Sequence, residues 1–442
     1  MLADDHVDYP MAVFMRFFFS GSVDRERMQK AFAWALAFHP LLNARVNGDV
    51  RGRTQNLHWT PHASLPRIIF CEANEDCSEF NFPTAIDLTS EPGIRLWCFN
   101  ESSNPCFVIQ WHHSCCDGIG IIHFIETMLL AYCDARSDSQ DDPYALTRDR
   151  TWWKTRSTNH PSWFDNLRRL PFDLARISAY HFNRTLPMHS KKELQNSETS
   201  SSERKAWLSS TLTRSETEGL ILLAQQNQVS VNDLLLREYF QTVYSWNRQS
   251  GGEQKCNIRI GVPIDLRSSE EVLNPAVNDV SIVFLDRNAE QIHNEKFLLQ
   301  SIHDEMQGVK EKQTGRAMIR LLENSGAIKG GMLKLLNLSG TRITSVLSNY
   351  GCQFLHSELL DQEGKIVADS LVLEKIEPYP VLRAGVRIGI NAITYNKRLT
   401  FTLNYDPRYF LIADSQEILN SFIQQIQNKI ISNPSSDNQT MN

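Results

Sequence analysis

The sequence predicts an α/β protein, of the two-layer α+β kind, built in two halves. Three observations lead there. The chain has 442 residues, enough for two ordinary domains with separate cores. Short apolar runs rich in β-formers alternate with stretches of helical periodicity. Between two such regions lies Lys191 to Lys205 (KKELQNSETSSSERK), polar, Ser-rich and without apolar periodicity, which reads as a linker. On this division residues 1–185 are the N-terminal half, 186–206 the linker, 207–432 the C-terminal half, and 433–442 (NPSSDNQTMN) a disordered polar tail.

Met11 to Phe19 (MAVFMRFFF) reads as a strand and Gly21-Ser22 as a turn. Ser22 or Asp24 caps a helix whose stripe is Met28, Ala31, Phe32, Ala35 and Leu36 and which ends before Pro40. Phe107 to Trp111 reads as a buried strand. Gly118 to Tyr132 reads as a helix, because Ile121, Ile122, Ile125, Met128, Leu129 and Tyr132 recur at its spacing. Residues 148–184 hold eight Lys or Arg against three Asp, interleaved with aromatics such as Trp152, Trp153 and Trp163. This segment reads as an amphipathic helix packed on the second half. The second reading is an interfacial element giving peripheral membrane contact, with a lipid-like acceptor or product.

Composition sets the compartment. Hydrophobic residues make up 41% and charged residues 22%, as in soluble globular proteins. A net charge of −6 gives no nucleic-acid signal. No run approaches the ~20 apolar residues of a membrane span. The start, MLADDHVDYP, has no cleavable signal pattern. Nine cysteines without framework spacing fit a reduced cytoplasmic setting.

The chemistry concentrates in Val108 to Gly120, VIQWHHSCCDGIG. Three uses of His112-His113 compete: a metal site, a cysteine nucleophile beside an imidazole, or one histidine as a base. If the strand persists to His113, the two rings point to opposite faces and do not chelate one ion. Zinc ligands are also usually spaced by two or more residues, so no metal is expected. Cys115 and Cys116 sit near a helix N-terminus, where a thiol pKa can fall, but cysteine is more often a small buried hydrophobe. A single base, with the other histidine packed behind it, fits best near neutral pH. Asp117 fixes the turn and Gly118 permits it.

His112-His113-Ser114-Cys115-Cys116-Asp117-Gly118 resembles the HHxxxDG motif of the CoA-dependent acyltransferase superfamily, which includes chloramphenicol acetyltransferase, condensation domains and standalone alcohol or polyketide-associated acyltransferases. Weaker elements follow in the family's order. These are HPLLNARV (His39 to Val46), IDLTSEPGIRL (Ile86 to Leu96), VSVNDLLL (Val229 to Leu236), GVPIDLR (Gly261 to Arg267), NPAVNDVSIVF (Asn274 to Phe284) and SNYG (Ser348 to Gly351). The DFGWG string of plant members is absent, and SNYG stands in its place.

The resemblance implies two chloramphenicol-acetyltransferase-like halves with the active site in a tunnel between them. It implies a standalone acyltransferase that moves an acyl group from acyl-CoA or an acyl carrier protein to a hydroxyl or amine. His113 is then the general base, and His112, Asp117, Gly118 and Arg267 hold the site. Arg267 is the expected partner of Asp117, and Ser348 and Asn349 are the expected oxyanion or substrate contacts. No bound cofactor is implied beyond the thioester co-substrate, and no nucleic-acid partner. A non-catalytic condensation-like scaffold that binds a carrier protein or partner enzyme is the alternative.

Overall fold

The computed structural model describes residues 2, 5–48, 57–72, 75, 77–78, 80, 82–134, 185, 187–191, 206–251, 256–267, 276–311 and 343–432. The basic aromatic segment 148–184, the tail 433–442 and most of the expected linker lie outside these residues.

The first sheet is six-stranded, in the order β11 (Val367–Ala368), β12 (Leu371–Tyr379), β1 (Ala12–Ser20), β6 (Cys106–His112), β5 (Ile94–Phe99) and β4 (Ile68–Phe70). β1 is apolar on both faces because both are covered. Val13, Met15, Phe17 and Phe19 enter the core beneath helices α1 (Arg25–Phe38) and α2 (Gly118–Cys133). Phe14 joins a second cluster with Phe82, Trp97 and Tyr379 on the other face. Asp24 caps α1, accepting the Arg27 N–H at 3.0 Å. A short ribbon of β2 (Ala44–Asn47) and β3 (His58–Pro61) follows α1.

The second sheet runs β7 (Ala206–Thr211), β14 (Arg398–Tyr405), β13 (Ile388–Tyr395), β10 (Ser345–Cys352), β8 (Ile258–Asp265) and β9 (Val280–Arg287). Its core is shared with helices α3 (Arg214–Gln226), α4 (Val231–Gln249), α6 (Glu295–Glu311) and α7 (Ile412–Ile431), with the short α5 (Ala289–His293) between β9 and α6. Ser230 caps α4 in a full capping box with Asp233.

The two sheets do not divide at the expected boundary alone. Residues 367–379, placed by sequence in the second half, form β11 and β12 and complete the first sheet through seven paired positions between β12 and β1. The reason is edge coverage. β1 would otherwise be an open, largely apolar edge, and β12 supplies its missing hydrogen bonds together with Glu377, the partner of Arg16. Among the described residues no helix is long and apolar enough to cross a membrane.

Candidate active site

β6 delivers the two histidines to the junction of the sheets. The strand stops at His112, one residue short of the expectation that it persists to His113. The chain then turns, with the His113 N–H donating to the Met11 carbonyl at 2.8 Å. His112 is fully buried. Its Nδ1 accepts the Ser114 N–H at 3.1 Å, which puts the proton on Nε2, where it faces Asp5 Oδ2 at 3.2 Å. Both nitrogens are therefore committed. Burial works to raise the Asp5 carboxyl, but the bonds from His112 and the Met11 N–H outweigh it and hold it below its ordinary value.

His113 is half-buried. Asn278 Nδ2 donates to its carbonyl at 2.5 Å and lies 3.2 Å from its Nδ1. Nε2 has no hydrogen-bond partner among the described residues. Burial lowers the imidazole pKa from 6.5, while its own backbone carbonyl and the Asp117 charge oppose that. The ring is therefore neutral at pH 7 and carries one uncommitted nitrogen.

Asp117 caps α2, accepting the Gly120 N–H at 2.9 Å. It also accepts the Asp279 N–H at 2.7 Å, and Arg267 Nη2 reaches both its oxygens at 2.9 Å. Arg267 further binds the Val277 carbonyl and Asp265. The Arg267 and Asp117 side chains are 4% and 5% exposed, so this is a buried pair joining α2 to the end of β8. Burial works to lower the Arg267 pKa, but Asp117 and Asp265 overcome it and raise it.

Gly118 has a different reason from the one the sequence suggested. Its φ is not positive; instead, a Cβ there would lie 2.1 Å from Cε1 of Tyr350. The Tyr350 ring rests directly on the start of α2. Cys115 and Cys116 are fully buried, and burial pushes both thiols well above their ordinary pKa. A Cβ on Gly93 would meet Cys115 Sγ at 2.2 Å, and one on Gly120 would meet Cys116 Sγ at 2.5 Å. Both thiols are packing atoms.

Ser348 and Asn349 lie on β10 rather than in a turn. The Ser348 hydroxyl bonds to the Tyr350 phenol. Asn349 Oδ1 accepts the Gly351 N–H at 2.9 Å, where the β10–β13 pairing breaks register. Asn349, Tyr350 and Arg267 line a cavity of about 480 Å³ that extends to Ser230, Met306 and Lys310. Three contributors to this arrangement were not singled out from sequence: Asp5, Asn278 and Tyr350. The last two stood inside strings already noted, but nothing local marks which side chain turns inward. Among the described residues, no three His, Cys, Asp or Glu side chains converge to hold a metal ion.

No family model and no curated protein matches the sequence. Solved structures do match in fold. The condensation domain of the monacolin K polyketide synthase MokA superposes with a TM-score of 0.64 at 14% identity, covering 95% of this chain and 92% of that one. The two-lobed, mixed α/β fold of that condensation domain is the fold of this chain. The trichothecene 15-O-acetyltransferase TRI3 from Fusarium sporotrichioides gives a TM-score of 0.65 at 10% identity, over 96% and 91% of the two chains. SgcC5 from Streptomyces globisporus, in complex with a naphthyl ethanediol and sucrose, gives 0.62 at 13% identity, over 97% and 95%. Residues 112–118 sit where the two sheets of this chain meet, tied across by Arg267 and Asn278.

Proposed function

We propose that this protein is an acyltransferase that carries an acyl group from a thioester, acyl-CoA or an acyl carrier protein, directly to a hydroxyl or amine. The observation that carries the reading is His113: a neutral imidazole at the lobe junction, its carbonyl held by Asn278 and its Nε2 without a partner among the described residues. With the Nδ1 proton given to its own carbonyl, Nε2 accepts the acceptor's proton as the oxygen or nitrogen attacks the thioester carbonyl. The tetrahedral oxyanion needs donors where the charge develops. Asn349 is suited to this, since its oxygen is taken by Gly351 and its Nδ2 remains as donor; the Ser348–Tyr350 hydroxyl pair, with one proton left over after the bond between them, is the second group. Collapse of the intermediate expels the thiolate, which takes the proton back from His113. No protein nucleophile is used.

A hydroxyl acceptor is supported by the neighbours in fold, one an O-acetyltransferase and another solved with a naphthyl ethanediol. The test is thiol release by the purified full chain from an acyl-CoA series, with a panel of alcohols and amines. Acceptor-dependent release with formation of an ester or amide supports the reading. Absence of release with every pair, and with acyl carrier protein donors, contradicts it.

A further inference from the structure

A second cavity, of about 120 Å³, opens where β1, β7, β12 and β14 come together. Its aromatic lining is Phe14, Trp207, Tyr379, Tyr405 and Tyr9, beside the carboxylates of Asp8 and Asp406. Trp207 and Tyr379 are stacked, with centroids 4.5 Å apart and planes 28° from parallel, and Phe14 lies 5.9 Å from Trp207. These rings are held from behind. The buried Arg16 guanidinium sits 5.7 Å from the Trp207 centroid and 4.9 Å from that of Tyr379, and is neutralised by Glu377. The wall is therefore preformed and flat-sided.

Two hydrogen-bond donors on that wall are uncommitted. The Trp207 indole N–H and the Tyr405 hydroxyl have no protein partner among the described residues, and neither atom is closed off from solvent. The guanidinium lining the cavity, that of Arg408, is already taken by Asp406 at 2.7 Å. The volume is of the order of the ~150 Å³ cavities that accept benzene. The cavity thus fits an uncharged aromatic ring bearing an oxygen acceptor. Its edge reaches the backbone that holds the base. Pro10 and Ala12 line it, the Met11 carbonyl between them holds the His113 N–H, and Ala12 pairs with His112 across the sheet.

We infer that this cavity seats the ring portion of the acyl acceptor, which is an aromatic alcohol or amine carrying at least one further oxygen; the inference rests on the acyltransferase reading above. Calorimetric titration of the full chain uses 2-naphthol as probe and n-octanol as the non-aromatic control. The wild type should bind 2-naphthol at one site and n-octanol at least tenfold more weakly. Tyr405→Phe, which keeps the ring, should weaken 2-naphthol binding several-fold, by about the loss of one hydrogen bond. Thr84→Trp, at a half-buried lining position, should block it, with an unchanged melting temperature showing that the fold is kept. Binding left intact by both folded variants, equal binding of n-octanol, or no binding of 2-naphthol by the wild type overturns the inference. If naphthol binds as predicted but no thioester supports transfer, the acyltransferase reading fails and the cavity stands as a ring site alone. If transfer to 2-naphthol occurs with a KM that neither variant changes, the reading stands and the acceptor seat is elsewhere.

Discussion

His113 and Cys116 stand three residues apart, and burial acts on them in opposite senses. It lowers the pKa of the imidazole and raises that of the thiol, so burial keeps His113 neutral, with a lone pair available to accept a proton, and leaves Cys116 protonated. The same holds for Cys115. We therefore expect Cys115→Ser and Cys116→Ser each to keep most of the transfer activity, and intact-mass spectrometry during turnover to detect no acyl-enzyme. An acyl group trapped on either sulfur would replace direct transfer with covalent catalysis. At this scale the sequence disclosed the residue types and their spacing. It did not disclose that Asp5 would close off His112 or that Asn278 would hold His113. Those partners lie 107 and 165 residues away along the chain, and no local pattern encodes such contacts.

The elements around the turn were legible where periodicity and caps were strong. α1 and α2 begin at Asp24 and Asp117, each of which accepts a backbone N–H of its own first turn. β6 is buried along its whole length, as the β-formers of Phe107 to Trp111 predict, and its polar Gln110 is satisfied by Arg95 and the Pro83 carbonyl. Gly118 shows where local reasoning gave the right residue for another reason. A turn was expected to need glycine's φ, whereas the contact that excludes a side chain comes from Tyr350 on β10. Gly118→Ala should therefore destabilise the protein by about 1–3 kcal/mol, in the manner of an overpacked site. Pairing it with Tyr350→Ala should recover part of that loss in a double-mutant cycle followed by denaturant unfolding. Additive losses would place the strain in the turn itself.

The whole molecule is held together at the lobe junction by contacts of three kinds. Arg267 bridges to Asp117, and its guanidinium also closes on Asp265 and the Val277 carbonyl. His39, beside α1, accepts the Ala276 N–H at 2.7 Å and meets Thr127 at 3.0 Å; burial holds its pKa down to about 3. Trp207 of β7 stacks on Tyr379 of β12. Breaking the buried Arg267–Asp117 pair from one side leaves an unpaired charge, so Asp117→Asn or Arg267→Met should each cost ~3–5 kcal/mol. The double variant should lose clearly less than the sum of the two, and strict additivity would deny the coupling. The two-lobed plan was legible from length, alternation and the polar stretch near residue 200. The return of residues 367–379 to the first sheet was not, because strand pairing across some 350 residues leaves no periodic trace in either segment.

One measurement bears most directly on the central claim: the pH dependence of acceptor-dependent thiol release in the wild type and in His113→Ala. The wild-type kcat/KM should be flat above pH 6.5 and fall in acid with an apparent pKa below 6.5, since burial lowers the His113 pKa and only the neutral ring accepts a proton. His113→Ala should be slower by roughly 10²–10⁴-fold, should lose that acid limb, and should melt at the wild-type temperature. A variant that folds and retains both the rate and the acid limb would contradict the account, because the proton would then be leaving through some other group.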